Sequence, residues 1–403
     1  MTPVAALAAI PDCPVDAAPA ERHDADDRQP MRALFRKAAQ GGHTGAQVAY
    51  ARMLLFGLGG APERRQALGW LQRAEAAGNC VAGYWLAWLA LGSVLLPRDG
   101  RINQRMLAAV HHGHPPALRA AAVHMGRKRD PADQRLCVHL LERAATGGDL
   151  LSALLLAERL ERGEGCEPRP MAAAAWRTRL VDAGAPVLPV IDAPPPAPRP
   201  ARGPCSRGTL AFEEALVPPP LQWLSEHPRL AQIDGLLTSD ECRLLVAHAL
   251  LDGHGDALHP AWRVQPASED FALRVLQLRL ARAARSELAH AEPLQVECRR
   301  PGPIGAAHHD YLPPDRLVAD HVLAGNRHRT LLACLAAADD GGGESFPLAG
   351  LRTRPATGAA VVFDDLLHGG GHETASLHAA LPVCRGALWQ ATLWLREGRY
   401  RRA

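Results

Sequence analysis

The feature that most constrains the fold is a regular spacing of glycines in the first half of the 403-residue chain. The glycines stand 36, 35, 35 and 36 residues apart, most of them just behind paired alanines, at Gly42, Gly78, Gly113, Gly148 and Gly184. A period of this length is typical of architectures that stack one supersecondary unit repeatedly. Glycine ends a helix where the backbone needs a positive φ, and small alanines let helices approach closely. The period therefore predicts an all-α solenoid of paired helices.

Large apolar residues recur within each period and are the predicted core of the solenoid. They are Phe35, Leu54, Leu55, Trp70, Leu71, Trp85, Leu86, Trp88, Leu141, Leu155 and Trp176. The pattern, as in the stretch WLQRAEAAGNCVAGYWLAWLALG, resembles the Sel-one-like repeat, a relative of the tetratricopeptide repeat, over residues 29–184. That resemblance implies a curved scaffold that binds proteins or peptides. A purely structural role, in packing or dimerisation, is the alternative.

Composition places the other boundaries of the chain. Residues 1–28 are rich in Ala, Pro and Asp with little apolar periodicity, which predicts disorder. Prolines dominate residues 185–208 and predict a stiff, extended linker rather than a packed element. A second domain should therefore occupy residues 209–403.

The second half has the texture of short strands. Runs such as LQVEC, TLLACL, GAAVVF and WQATLWL are separated by Gly, Pro and Asp turns, and helical stretches precede them. Helices followed by many strands predict an α+β domain with a barrel or sandwich as its core.

A candidate metal motif lies in this half, where His308 and Asp310 are two residues apart. On a strand, both side chains point to the same face. Two histidines and one carboxylate on one face leave coordination positions open, as in non-haem Fe(II) oxygenases. H-x-D alone is weak evidence in a chain with 19 histidines, and it needs a third ligand from elsewhere.

An ordered set of features after this motif strengthens it. Arg327 and Thr330 precede the strand LLACL, a GGESFP turn follows, and Gly358 leads into AAVVFDD. His378 then begins HAALPV, with tryptophans behind it. This order and spacing resemble the prolyl 4-hydroxylase-like branch of the 2-oxoglutarate oxygenases over residues 225–398.

The resemblance implies a double-stranded β-helix, or jelly-roll, that binds Fe(II) through His308, Asp310 and His378. It implies 2-oxoglutarate as the cosubstrate, with L-ascorbate as a further candidate cofactor. Halogenating members of the family generally lack the carboxylate, so Asp310 favours hydroxylation.

The cosubstrate positions depart from the family pattern. The basic residue expected after the second histidine is Leu388, the tyrosine expected before H-x-D is Arg299, and a further aromatic position is Gly305. In one explanation Arg299 supplies the missing cation and Thr330 donates a hydrogen bond, because guanidinium suits a bidentate carboxylate. In the other, the cosubstrate site is altered or lost. Arg327 is a further candidate, with a supporting role.

Composition also excludes several classes of partner. A net charge of +3 with 22% charged residues gives no basic excess for nucleic acid, and no apolar run reaches membrane-spanning length. Nine cysteines without a C-x-x-C pair indicate reduced thiols and predict a cytoplasmic protein.

Together these patterns predict a dioxygenase that hydroxylates a prolyl or other residue of a peptide or protein recruited by the repeats. The alternatives are a tailoring hydroxylase of a free amino acid or natural-product intermediate, and a non-catalytic scaffold whose oxygenase domain is vestigial.

Overall fold

The computed structural model describes residues 21–92, 95–96, 99–194, 210–252, 261–302, 305–319 and 324–401. Its contacts divide the chain into two compact units. Among the described residues, one unit contains those up to residue 118 together with 265–274, and the other contains those from 119 to 264 and from 275 to 401. The candidate site lies wholly within the second unit.

The described part of the N-terminal half is helical, as the glycine period predicts. Its helices are α1 (Glu21–Gln40), α2 (Thr44–Phe56), α3 (Arg64–Ala76), α4 (Cys80–Ala90), α5 (Ile102–His111), α6 (Pro115–Gly126), α7 (Pro131–Thr146), α8 (Leu150–Arg162) and α9 (Pro170–Asp182). Helices α2 and α3, α4 and α5, and α8 and α9 contact each other as pairs. The prediction of helical repeats is confirmed.

The five periodic glycines share one conformation, with φ between 74° and 92°. The residue after each glycine donates its backbone N–H to a carbonyl five residues earlier, the pattern of a helix-ending Schellman motif, as in Asn79 to Ala74 and Asp149 to Ala144. A Cβ built on any of the five would meet nothing within 4 Å. The period is therefore set by a backbone angle that side chains disfavour, and not by a lack of space.

All but two of the predicted solenoid core residues are buried; Trp70 and Trp176 are only half-buried. Each of these two carries an arginine one helical turn ahead that stacks on its ring. The guanidinium of Arg73 lies 4.7 Å from the Trp70 ring centre, and that of Arg179 lies 4.9 Å from the Trp176 ring centre. The neighbouring arginine covers a ring that the core does not enclose.

Two segments predicted to be unstructured differ in the part that is described. Residues 1–20 lie outside the described residues, but 21–28 belong to helix α1, whose Phe35 and Ala39 are buried further along. Residues 185–194 have no regular secondary structure, yet Ile191 is fully buried and its carbonyl accepts a hydrogen bond from Arg243 at 3.0 Å. The start of the predicted linker is therefore packed.

The C-terminal domain is built on an antiparallel seven-stranded sheet in the order β1-β2-β9-β5-β12-β4-β3. Its strands are β1 (Gln222–Glu226), β2 (Arg229–Ile233), β3 (Ala261–Arg263), β4 (Gln295–Arg299), β5 (Arg327–Ala336), β9 (Ala360–Asp364) and β12 (Leu388–Arg396). The short strands are β6 (Asp340–Gly341), β7 (Glu344–Phe346), β8 (Leu351–Thr353), β10 (Ala379–Ala380) and β11 (Val383–Arg385). These form two smaller sheets, β10-β7-β8 and β11-β6.

The small sheets cover one face of the large sheet. Phe346 of β7 packs with Leu332 of β5 and Phe363 of β9, and Val383 of β11 packs with Leu388 of β12. The result is a two-layered antiparallel domain, as the predicted jelly-roll requires. Helix α10 (Ser239–Asp252) contacts β3, β4 and β5.

Helix α10 carries buried charges that are paired within the same unit. Asp240 accepts from Arg159 of α8, and Arg243 donates to Glu164 just beyond α8. Burial disfavours the charge of Asp240, but Arg159 and Arg243 lower its pKa. The last repeat helices and the sheet domain are thus joined by buried ion pairs.

Two further observations bear on the sequence predictions. The cysteines within the described residues are free thiols. None of the described helices has the length and apolar character needed to cross a bilayer.

Two more helices complete the described fold, α11 (Phe271–Ala283) and α12 (Pro314–Ala319), the second lying between the H-x-D motif and β5.

Candidate metal centre

His308 and His378 are brought together by the backbone. They form an antiparallel bridge in which His308 N donates to His378 O at 2.9 Å and His378 N donates to His308 O at 3.0 Å. Directly paired residues of antiparallel strands place their side chains on the same face. The imidazole rings accordingly lie 4.5 Å apart between centroids. A separation of 70 residues in sequence is thus closed by two hydrogen bonds.

Asp310 completes a three-sided site. Its Oδ1 lies 3.8 Å from His308 Nε2, and its Oδ2 lies 3.8 Å from His378 Nε2. All ligand atoms of the three residues lie within 4.8 Å of one another. Ligands about 2.1 Å from one metal ion at right angles would be roughly 3 Å apart, so the two 3.8 Å pairs must close by about 1 Å and the widest pair by up to about 2 Å. The three predicted ligands fit a divalent metal.

Both histidines are oriented by their second ring nitrogen. Nδ1 of His308 lies 3.2 Å from the carbonyl of Ala306, and Nδ1 of His378 lies 3.0 Å from the carbonyl of Ser376. A carbonyl only accepts, so each Nδ1 carries the proton and each Nε2 presents a lone pair. This is the usual way in which proteins fix the tautomer of a metal-binding histidine.

The two histidines differ in exposure. The His308 side chain is 58% exposed, whereas His378 is almost completely buried. Burial lowers the pKa of His378, although the nearby Asp310 opposes the shift, so its ring is neutral at neutral pH. A neutral ring is the form that binds metal. The site is therefore closed on the His378 side and open to solvent on the His308 side.

Asp310 is held by a buried hydrogen-bond chain. Thr330 Oγ1, fully buried on β5, lies 2.9 Å from Asp310 Oδ2 and 2.7 Å from Asp365 Oδ2. Burial and the charge of Asp310 raise the pKa of Asp365 well above its usual range. A neutral Asp365 donates to Thr330, and the single hydroxyl proton of Thr330 is then donated to Asp310. The Thr330 hydroxyl thereby fixes one carboxylate oxygen of Asp310.

Arg327 supports the same residue from the backbone side. Its guanidinium pairs with Glu292 at 2.6 and 2.9 Å and reaches the carbonyl oxygen of Asp310 at 3.3 Å. It also lies 4.1 Å over the Trp394 ring. Arg327 is therefore committed to holding the metal-binding segment, which agrees with a supporting role.

A cavity of about 400 Å³ extends from the three ligands along the inner face of the large sheet. Arg299 lines it, and Arg299 lies directly opposite Leu388 in the β4–β12 ladder, as the alignment of the two altered positions requires. Leu388 is buried with Cys334 and Val383. Thr330, proposed from sequence as a cosubstrate donor, is engaged with two aspartates instead. Arg299 is thus the one predicted cosubstrate contact that lines this cavity.

Other residues near the ligands have different partners. His309 and His372 stack on opposite sides of Tyr311, with ring centroids 4.6 and 4.1 Å away, and His309 Nε2 lies 3.1 Å from the Thr374 carbonyl. Gly305 lines the cavity, and a Cβ built there would meet open space. Tyr311 therefore connects the loop that contains His372 to the segment that contains His308 and Asp310.

Several residues of the site were not anticipated from sequence, among them Asp365, Glu292, Glu297 and Glu344. Asp365 follows a buried strand in VVFDD, a position from which a carboxylate reaches into a sheet domain. Glu297 and Arg299 are two residues apart on β4, so their side chains point to the same face of the strand and both line the cavity. Neither Glu292 nor Glu344 carries a local signal, since both act through partners distant in sequence.

Comparison with known proteins supports the same resemblance. No family model matches the chain. Over 217 residues, which make up 46% of this chain and 74% of the relative, it is 23% identical to probable prolyl 4-hydroxylase 9 of Arabidopsis thaliana. Over 130 residues it is 31% identical to prolyl 4-hydroxylase subunit alpha-1 of Rattus norvegicus, covering 32% of this chain and 24% of that subunit. The chain thus spans about a quarter of the rat subunit's length.

Among solved structures, a Sel1 repeat protein from Oxalobacter formigenes is 20% identical with a TM-score of 0.34, and the match covers 39% of this chain and 65% of that one. The chain combines helical repeats with a sheet domain that is similar in sequence to prolyl 4-hydroxylases.

Proposed function

We propose that the protein is a non-haem Fe(II) hydroxylase that consumes dioxygen and a 2-oxo acid, 2-oxoglutarate being the cosubstrate that the resemblance implies. The observation that carries this proposal is the arrangement of His308, Asp310 and His378, whose Nε2 and carboxylate atoms converge on one point. Two histidines and one carboxylate on one face are the donor set of Fe(II) oxygenases that use oxo acids. In the overall reaction the 2-oxo acid loses carbon dioxide, one oxygen atom enters the resulting acid, and the other enters a C–H bond.

Each residue has a distinct part in this scheme. His308, Asp310 and His378 would hold the iron, which when bound supplies the redox chemistry that oxidises an unactivated C–H bond. The Ala306 and Ser376 carbonyls keep both imidazoles in the metal-binding tautomer. Thr330 and Arg327 hold the Asp310 carboxylate and backbone in place.

We propose a peptide or protein as the hydroxylated substrate, with a prolyl residue as the first candidate. The support is the open side of the site, where His308 is 58% exposed and residues 305–307 are also exposed. An extended chain can reach such a site without being enclosed. The helical repeats would then recruit the partner protein. The runner-up is a small-molecule hydroxylase, favoured by the space that Gly305 leaves in the cavity.

The test is oxo-acid-dependent oxygen consumption by iron-loaded protein, with and without L-ascorbate, measured with proline-containing peptides and with free amino acids. Wild type should release carbon dioxide from the 2-oxo acid, and His308→Ala should not. If wild type binds Fe(II) but turns over no 2-oxo acid with any of these substrates, the domain is a scaffold and the proposal fails.

A further inference from the structure

The end of the cavity away from the metal ligands is lined by the charged residues Glu297, Arg299 and Glu344. An inference drawn from these residues rests on the proposed function. Gln295, Glu297 and Arg299 of β4 and Thr392 of β12 line the cavity, and alternate residues of these two strands face each other in register. The facing pairs are Arg299 with Leu388, Glu297 with Gln390, and Gln295 with Thr392. Glu344 of β7 lines the same cavity from the smaller sheet.

Arg299 is already paired within the protein. Its Nη1 donates to Glu344 Oε1 at 2.7 Å, and its Nε donates to Glu297 Oε1 at 2.9 Å. The Glu344 oxygen also accepts from Gln390 Nε2 at 3.4 Å. Burial works against the charge of Arg299, but Glu344 and Glu297 raise its pKa. The guanidinium is therefore fixed in place by two carboxylates of the chain itself.

Among the side chains of this end that are at least partly buried, the charge balance is negative. Two carboxylates face one guanidinium, and the Glu344 side chain is only 4% exposed, so water screens its charge poorly. Glu297 is 27% exposed and is better screened. Arg300 also lines the cavity, but it is exposed to solvent. A third carboxylate placed beside Arg299 would meet Glu344 in a poorly hydrated space.

The wall opposite Arg299 is apolar. Leu388 is 5% exposed and packs with Cys334 and Val383. A second cavity of about 270 Å³ adjoins this wall and shares Glu344 and Leu332 with the first. Burying an ionised group against such a wall is costly unless it gains a dedicated partner, whereas an uncharged group enters without that cost.

We propose that this cavity takes a 2-oxo acid whose distal end is uncharged, and that Glu344 is the residue that sets this preference against a dicarboxylate. Arg299 then donates a hydrogen bond to a neutral carbonyl or forms part of the wall beside an alkyl end. Its charge is neutralised by Glu344 and not by the ligand. Glu344 is a specificity-determining residue in this scheme and is not one of the three metal ligands.

The experiment compares two ligands on full-length protein loaded with Ni(II), which binds oxo acids without turnover. Calorimetry measures the Kd of 2-oxoglutarate and that of its C5 methyl ester, with 2-oxohexanoate as an alkyl-ended probe. Wild type should bind the ester at least about five-fold more tightly than the dicarboxylate, since only the dicarboxylate meets Glu344 with a charge. Glu344→Gln should tighten 2-oxoglutarate at least about ten-fold and change the ester less than about three-fold.

Two variants control for charge and folding. Asp234→Asn removes a carboxylate from the exposed surface of the same domain and should change neither Kd. Glu297→Gln, which removes the better-screened partner, should tighten 2-oxoglutarate by a smaller factor than Glu344→Gln and keeps the test usable if Glu344→Gln does not fold.

The outcomes separate this inference from the proposed function. Tighter binding of 2-oxoglutarate than of the ester by wild type, or an unchanged 2-oxoglutarate Kd in Glu344→Gln, would overturn the inference while leaving the proposed hydroxylase intact. Nickel bound at the three ligands with no binding of any 2-oxo acid would overturn both.

Discussion

The two ends of the cavity handle polar groups in opposite ways. At the metal end, Nδ1 of each histidine donates a hydrogen bond to a backbone carbonyl, so that Nε2 is available to bind a metal ion, and Asp310 accepts a hydrogen bond from Thr330. At the far end, Arg299 has its charge neutralised by Glu297 and Glu344. The metal end thus presents free ligand atoms to a metal ion from outside the chain, whereas the charged groups at the far end are paired with each other. Substitutions at the metal end should therefore abolish metal binding. Substitutions at the far end should instead change the selectivity for 2-oxo acids and the stability of the folded protein.

The largest effect is expected from His378→Ala. Removing one of three ligands leaves a two-residue site, so the Kd for Co(II) or Ni(II) should rise at least about 100-fold, measured by calorimetry. The matched control is His309→Ala, whose ring contacts Tyr311 and the Thr374 carbonyl, and its Kd should stay within about three-fold of wild type. Equal metal affinity in the two variants would remove the distinction between the ends.

Thr330→Val tests whether the hydrogen-bond chain behind Asp310 matters for metal binding. Valine has nearly the same shape but cannot donate to Asp310 or accept from Asp365, and loss of such a supporting contact typically weakens metal binding about 10- to 100-fold. Asp365→Asn keeps a hydrogen-bond donor toward Thr330, so its Kd for the metal should stay within about three-fold of the wild-type value. If Thr330→Val binds metal as wild type does, the ligands do not depend on this chain.

Arg299→Leu tests whether the pairing of Arg299 with the carboxylates at the far end of the cavity stabilises the protein. It leaves the buried Glu344 with Gln390 as a remaining partner, and an unpaired buried acceptor costs about 1–3 kcal/mol in the free energy of unfolding. Adding Glu344→Leu should recover most of that loss, because both partners are then apolar. Metal affinity should be unchanged throughout. A double variant no more stable than the single one would show that Arg299 and Glu344 are not coupled, as measured by chemical unfolding.

A smaller effect, dependent on pH, is expected from Asp365→Asn in metal-free protein. The folded pKa of Asp365 is raised, so above the ordinary aspartate value of about 4 the unfolded chain releases a proton that the folded chain keeps. The wild type therefore loses stability from this group as pH rises, and asparagine does not titrate. The stability gain of Asp365→Asn over wild type should be larger at pH 7.5 than at pH 4. A gain independent of pH would mean that Asp365 is ionised in the folded protein.

The sequence was sufficient where structure depends on local geometry. The glycine period predicted the helix ends because each glycine must adopt a positive φ whatever surrounds it. His308 and Asp310 do lie at one site, but through an isolated bridge at His308 followed by a bend at Asp310, and not through the strand that the alternation predicted. The opposition of Arg299 and Leu388 also followed from the expected ladder.

The sequence was insufficient where a side chain's role depends on a distant partner. Arg299 looked like a free cation until β7 brought Glu344, 45 residues away, within 2.7 Å. Thr330 looked like a cosubstrate donor, but β9 places Asp365 beside it. Trp70 and Trp176 fit the core pattern, yet each is covered by an arginine of its own helix. In each case strand pairing or a neighbouring side chain decided the role.

The most direct test of the account is an anaerobic titration of Fe(II)-loaded protein with 2-oxo acids, followed by visible absorption. A 2-oxo acid that chelates iron held by His308, Asp310 and His378 gives a charge-transfer band. Wild-type protein should show this band, and His378→Ala should lack it. Wild type that binds one equivalent of Fe(II) but shows no band with any 2-oxo acid, or a band that survives in His378→Ala, would contradict it.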